Sequence, residues 1–433
     1  MSTIQAQITE IARKYPGEGL TTLNHYLTED LLKESFRQLK KKAAAGVDGK
    51  SYAAYEMEIE QRLPGLVAEI KTGSYRALPA LRGYIQKPGK TELRPLGIPA
   101  IEDKVVQKAV TEILEPIYEQ EFYSFSHGFR QGKGPLTAVQ ALHEAIEKER
   151  TSWIVELDIR KFFDTLSHSH LREFLRKRVR DGVILRLIDK WLKAGVMEAG
   201  AWKATEEGTP QGGIASPLLA NLYLHEVLDK WFAERVKCRL KGRSFLIRYA
   251  DDAVMGFEHE EDARRVMEAL PKRFALFALS LNMQKTRIVN FQKPDTPDAK
   301  PETFDFLGFT HYWGKSRNGR AITKLQTAKD RLARSCKATW VSCRKNMHLP
   351  IQEQCRRLNW KLRGHYSYYG VTHNIGALRR YHLTVRRMWH RWLDRRGGKT
   401  QMNWQDYVAL LSRHPLASPR IFHSLYRPCE SFA

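Results

Sequence analysis

Residues 245–257, FLIRYADDAVMGF, constrain the fold of this chain more than any other stretch. Two short runs rich in β-branched and aromatic residues, 245–249 and 253–257, flank Ala250-Asp251-Asp252, so the stretch predicts a β-hairpin with two adjacent carboxylates at its tip. Taken alone, paired Asp residues at a turn are ordinary solvated turn formers. A third carboxylate changes that reading. Residues 153–158, WIVELD, form another strand-like run, which delivers Asp158 at its end, ahead of Phe162-Phe163. Two such strands side by side bring Asp158, Asp251 and Asp252 within reach of one pair of divalent ions. Hard oxygen donors suit Mg2+, and two such ions activate a 3'-hydroxyl and stabilise a leaving pyrophosphate. The pattern points to nucleotidyl transfer.

Charge narrows the partner. The 433 residues carry 72 Lys and Arg against 48 Asp and Glu, a net of +24 with a pI near 9.8. A basic surface by itself only solvates a protein, but here residues 311–433 hold 25 Lys and Arg against 5 Asp and Glu, so +20 of the +24 lies in that part. A field concentrated in this way favours a polyanion, above all nucleic acid. The stripe Tyr381, Val385, Met388, Trp389 and Trp392 predicts a packed helix face, which leaves Arg380, Arg387 and Arg391 on another face to meet phosphate.

Five cysteines (Cys238, Cys336, Cys343, Cys355, Cys429) form no CxxC pair, and their odd number argues against a disulfide framework. No apolar run reaches the roughly 18 residues of a membrane span, and the start MSTIQAQITE lacks the basic and apolar regions of a signal peptide. A cytoplasmic protein with no membrane partner is expected.

Along the chain, residues 28–72 read as helices broken at Ala45-Gly46-Val47-Asp48-Gly49, and 84–99 as two strands around a Pro-Gly-Lys turn. Val106, Ala109, Val110, Ile113 and Ile117 recur at helical spacing and mark core. Thr209-Pro210-Gln211-Gly212-Gly213 is a turn whose glycines permit close approach, set before a helix that opens at Ser216-Pro217.

The order LDIRKFFD, GTPQGGIASPLLANLYL, RYADD, LNMQKT and FLGF is similar to the palm motifs of reverse transcriptases. With LRPLGIPAIEDKVVQ and SHGFR upstream, residues from about 45 to about 396 resemble the protein encoded within bacterial group II introns. The resemblance implies an α+β right-hand polymerase. Fingers and palm then occupy residues 1–310, with an N-terminal extension over 1–80; an all-α thumb or maturase domain occupies 311–396 and a short basic tail 397–433.

The same resemblance assigns roles. Asp158, Asp251 and Asp252 hold two Mg2+ ions; Lys87, Arg94 and Gln211 hold the incoming dNTP, for which Arg offers a planar fork and Lys a compact charge. Phe163 lies under its sugar, where a ring collides with a 2'-hydroxyl. Lys285 stands near the triphosphate as a proton donor to pyrophosphate. Phe306, Leu307 and Gly308 grip the primer end. Read without the resemblance, these are surface charges, a loop Gln and core aromatics. Arg130 of SHGFR and His365, where relatives often carry Trp, are left without a firm role, and AGVDG is either a plain loop or an RNA contact.

The implied partners are a group II intron RNA, an RNA template with a DNA primer, a DNA target and dNTPs. An endonuclease is not expected, since residues 397–433 offer only His414, His423 and Cys429, scattered among Pro and Arg. Two rivals share the motifs: a reverse transcriptase serving a host or defence system, and a splicing factor that keeps only RNA binding.

Overall fold

The computed structural model describes residues 3–86, 89, 92–205, 207–209, 212–296, 299, 301–396 and 402–426. Helices α1 (Thr3–Lys14), α2 (Glu29–Arg37) and α3 (Tyr52–Thr72) lead into strands β1 (Ala80–Gln86) and β2 (Leu93–Ile98), then α4 (Ile101–Glu119) and α5 (Pro135–Lys148). Strand β3 (Trp153–Leu157) is followed by α6 (His168–Arg178), α7 (Gly182–Lys193), the short strands β4 (Val196–Glu198) and β5 (Ala201–Lys203), and α8 (Ser216–Leu224). The hairpin β6 (Ser244–Tyr249) and β7 (Asp252–Phe257) comes next, then α9 (Glu260–Ala275), β8 (Arg287–Asn290), β9 (Phe304–Phe306), β10 (Phe309–Lys315) and β11 (Ala321–Thr327). Four helices close the order: α10 (Lys329–Asn346), α11 (Ile351–Tyr369), α12 (Ile375–Arg396) and α13 (Trp404–Arg413).

The central sheet runs β6-β7-β3-β8, with β3 antiparallel to both its neighbours. Its strands read as continuous apolar runs because both faces are covered. Alternate residues point to opposite faces: Val155, Leu157, Ala253, Met255 and Phe257 enter a large core built with the N-terminal helices, α4 and α6 to α8. Ile154, Val254, Phe245 and Ile247 enter a second core with α5 and β9 to β11. A one-residue slip would exchange these sets, so the register that places the carboxylates is fixed by packing on both sides.

The N-terminal extension is docked. Asp181, buried, caps α7 through Val183 N and Ile184 N, while its other oxygen accepts from Leu23 N at 2.8 Å and Asn24 N at 2.7 Å. Arg178 donates to the carbonyls of Tyr15 and Glu18. Helices lie on either side of AGVDG, as the sequence predicts; Thr28 and Ser51 cap them, and Gly73 closes α3 at φ +84°.

Two expectations need correction. The stretch from residue 311 does not start as helix: β10 and β11 pair antiparallel through Lys315↔Ala321, and the helical region begins at Lys329. Alternating burial of His311, Thr323, Leu325 and Thr327 against the second core gives this segment a strand period. Nor are residues 402–426 a loose tail. Helix α13 buries Tyr407 and Leu410 in a third core with α10 to α12, and the chain then returns to the second core, where Leu425 is buried. His423 accounts for itself there, its Nε2 on the Ser367 carbonyl and its backbone carbonyl accepting from Thr372 N. Cys429 lies outside the described residues.

Candidate active site

Asp158 follows β3 directly, and β7 opens with Asp252, so antiparallel pairing of the two strands sets these residues beside one another. Tyr249↔Asp252 closes the hairpin across the two-residue loop Ala250-Asp251. A cleft of about 730 Å³ opens in front, lined by Asp158 and Asp252, by Leu307 and Gly308 of the β9–β10 turn, and by Arg331 and Arg334 of α10. The carboxylates influence one another. Burial, then the neighbouring charge of Asp158, raises the Asp251 carboxyl, with Arg94 and Arg248 opposing. Asp252 is pushed up to about 6 by burial and by the charges of Asp251 and Asp158, with Lys285 and Arg331 opposing.

The charge of Asp158 raises both Asp251 and Asp252, and the hard oxygens of these three carboxylates fit a divalent cation. Their present arrangement is not closed around a point: among the described residues, no three acidic, His or Cys side chains converge to metal-binding distance. Asp158 Oδ2 is held instead by Lys285 Nζ at 2.9 Å and Asn282 Nδ2 at 2.8 Å. Lys285, expected near a triphosphate, therefore stands as counter-charge to a carboxylate.

The other expected residues divide. Arg94 is exposed on β2, and its charge acts on Asp251. Lys87 and Gln211 lie outside the described residues. Past Gln211, Gly212 sits at φ +120° with a virtual Cβ 2.7 Å from the Gly97 carbonyl, and Gln107 of α4 accepts from Ile214 N at 2.9 Å. Gln107 was hidden in a helix that reads as plain core. Phe163 is half-buried, edge to face with Phe162, and its carbonyl accepts from Thr209 N at 2.8 Å. Leu307 (φ +49°) and Gly308 (φ +82°) make a tight turn against the cleft, with Tyr368 Oη donating to the Leu307 carbonyl at 2.9 Å; Phe306 is buried behind it.

Arg380, Arg387 and Arg391 are all exposed on α12, as its apolar stripe predicts, with Arg391 over the Trp340 ring. They are not among the residues that line the cleft. Arg331 and Arg334 are, and sequence spacing had not separated them from the other basic residues of α10. Arg130 is structural: it pairs with Glu119 and donates to the carbonyls of Tyr123 and Ser126. His365 is also structural, buried between Tyr369 and Tyr381.

A mixed α+β fold with three carboxylates on one sheet beside a basic helical region defines a nucleotidyl transferase. A sequence profile described as reverse transcriptase (RNA-dependent DNA polymerase) matches residues 85–311, and the chain belongs to that family. Protein YkfC of Escherichia coli K12 is 32% identical over 373 residues, covering 76% of this chain and 94% of that protein. Group II intron-encoded protein LtrA of Lactococcus lactis subsp. cremoris is 32% identical over 299 residues, 66% of this chain and 50% of LtrA. The putative COX1/OXI3 intron 1 protein of Saccharomyces cerevisiae is 26% identical over 307 residues, 60% of this chain and 36% of that protein. The chain thus spans half the length of LtrA and less of the yeast relative. Among the described residues, no helix is long and apolar enough to cross a membrane.

Proposed function

We propose that this chain is a right-hand polymerase that copies RNA into DNA at the cleft, and that it does so for a group II intron whose RNA it also binds to promote splicing. The observation that carries the polymerase reading is the meeting of Asp158 and Asp252 in one cleft at the ends of adjacent strands, with Asp251 next to them on the hairpin tip and near enough for the charge of Asp158 to raise its carboxyl. These three carboxylates would hold two Mg2+ ions, which when bound lower the pKa of a primer 3'-hydroxyl and neutralise the leaving pyrophosphate.

The protein's own groups do the rest. Arg94 faces the site from the β1–β2 hairpin and meets the triphosphate, joined by Lys87 and Gln211. Phe163, whose carbonyl holds Thr209 N, underlies the sugar and selects deoxynucleotides. The Leu307-Gly308 turn grips the primer end, while Arg331 and Arg334 balance phosphate charge on the helical side. Lys285, already at the rim, supplies a proton as pyrophosphate leaves.

The intron role draws support from the likeness to LtrA, whose name states that an intron encodes it. The likeness to YkfC covers more of both chains, and its name carries no intron, so a host role is the second reading. Two experiments decide. Primer extension on an RNA template tests the polymerase: no DNA product from the wild-type protein with Mg2+ refutes it. Sequencing of the RNA that co-purifies with the protein tests the partner: an enriched group II intron supports the first reading, and its absence the second.

A further inference from the structure

The hairpin tip that presents Asp251 and Asp252 is strained. Ala250 takes φ +55°, a left-handed conformation that costs a residue with a Cβ on the order of 1 kcal/mol. Such a conformation persists only where its surroundings hold it, and here they converge from four segments.

Arg248, two residues before the tip, has no solvent contact at all. Its Nε donates to Asp229 Oδ1 at 2.8 Å and its Nη2 to Asp229 Oδ2 at 2.5 Å, a bidentate pair between fully buried groups. Nη2 also donates to Ser126 Oγ at 2.8 Å, and Nη1 to Asn221 Oδ1 and to the Ala250 carbonyl, both at 3.0 Å. Burial alone would raise the Asp229 carboxyl; Arg248 holds it below its ordinary range. The backbone is fastened too, since Arg248 N donates to the Phe125 carbonyl and His127 N to the Arg248 carbonyl.

Asn221 and Asp229 share this task although they are eight residues apart, a spacing that leaves two side chains about 80° apart on an ideal α-helix. After Leu224 the helix winds as a π-helix over His225–Asp229, and the wider turn brings Asp229 back toward the side of Asn221. From the other side, Gly128 lies so near the tip that a Cβ there would stand 2.2 Å from Ala250 N, and Asn221 Nδ2 holds the Gly128 carbonyl at 2.5 Å. Arg248 does not line the cleft; it reaches the carboxylates through the tip and through the charge it sets against Asp251, and only the first of these depends on the fork of its guanidinium.

We propose that Arg248 is a positioning residue for the reaction: its guanidinium, neutralised by Asp229, clamps the Ala250 carbonyl and so fixes where Asp251 and Asp252 present their carboxylates. The proposal rests on the polymerase reading for its kinetic consequence and goes beyond it in assigning a buried group to the geometry of the metal-binding pair.

The test is Arg248→Lys in the full chain. A lysine still neutralises Asp229, but its single ammonium cannot also hold Ala250 and Ser126. Single-nucleotide extension should then lose about 10–100-fold in kcat, while KM for dNTP and affinity for primer–template stay near wild type. Without nucleic acid, Mn2+ binding followed by electron paramagnetic resonance should weaken, and amides of residues 249–253 should exchange hydrogen faster. A folded Arg248→Lys protein with wild-type kcat, Mn2+ affinity and exchange overturns the proposal. If that variant does not fold, Ser126→Ala, which removes one contact and no charge, takes its place: a several-fold loss of kcat with faster exchange at the tip supports the clamp, and no change overturns it. Failure of the polymerase reading looks different, because the wild-type protein would then make no DNA while Mn2+ affinity still fell in Arg248→Lys.

Discussion

The three carboxylates differ in what surrounds them, and the differences make separate predictions. Asp251→Ala should abolish DNA synthesis yet leave RNA affinity unchanged, because it removes a metal ligand and touches none of the basic helices; primer extension and a binding titration on the same preparation check both halves. Asp252 carries a stability cost. Its folded carboxyl sits near 6 against an ordinary 3.8, so its charged form is disfavoured in the folded state. That cost is fully present above pH 6 and is relieved as pH falls toward the unfolded value. Asp252→Asn should therefore raise the Tm of the metal-free protein at pH 7, a gain of about 1 kcal/mol once screening by solvent in the open cleft is allowed for, and give none below about pH 4. Thermal unfolding in EDTA at the two pH values measures it. Phe163→Val should admit ribonucleotides by leaving room for a 2'-hydroxyl; an unchanged rNTP-to-dNTP ratio in single-nucleotide extension would mean that the ring serves only the core beside Phe162.

At the scale of elements, the helical region offers two basic faces with different prospects. Arg331 and Arg334 of α10 face the carboxylates, whereas Arg380, Arg387 and Arg391 lie on the exposed face of α12, away from the residues that line the cleft. Replacing the α12 trio by Gln should weaken RNA binding and flatten its salt dependence by roughly 2–3 in slope, one ion released per lost phosphate contact. A salt slope identical to wild type, from titrations at several ionic strengths, would show that α12 presents only a solvated face. The turn at Leu307-Gly308 illustrates the other side of element-scale control. Its positive φ values are fixed from the helical region, through Tyr368, and not by β9 and β10 alone.

Across the whole molecule, the helical region is held to the three-stranded sheet β11-β10-β9 by a small junction. Thr327 N donates to Asn374 Oδ1 at 2.8 Å, and the segment after α13 runs back so that Leu425 fills the second core beside Phe304, Phe309 and Val371. Leu425→Ala should destabilise that junction by about 2–4 kcal/mol, as for other buried leucines. Hydrogen exchange should then report faster opening in β9 to β11, with the hairpin's own core largely unaffected; uniform protection would show that the segment adds nothing to the junction.

The sequence by itself determined the elements and the chemical character of the site. Short β-branched and aromatic runs, turn residues and helical spacing are local properties, so the hairpin at 245–257, the strand ending at Asp158, the helices broken at AGVDG and the amphipathic α12 were all legible. Which groups meet was decided only in three dimensions. Lys285 reaches Asp158, and Asn282 reaches it too from 124 residues away; Arg331 arrives opposite Asp252 only because β9 to β11 turn the chain back first. Arg248 looks in sequence like one more basic residue near a catalytic turn, and nothing in its neighbours foretells that Asp229, Asn221 and Ser126 enclose it without solvent. The physical reason is the same in each case. Backbone conformation follows from neighbours in the chain, but burial and charge pairing depend on packing between segments that the chain keeps apart.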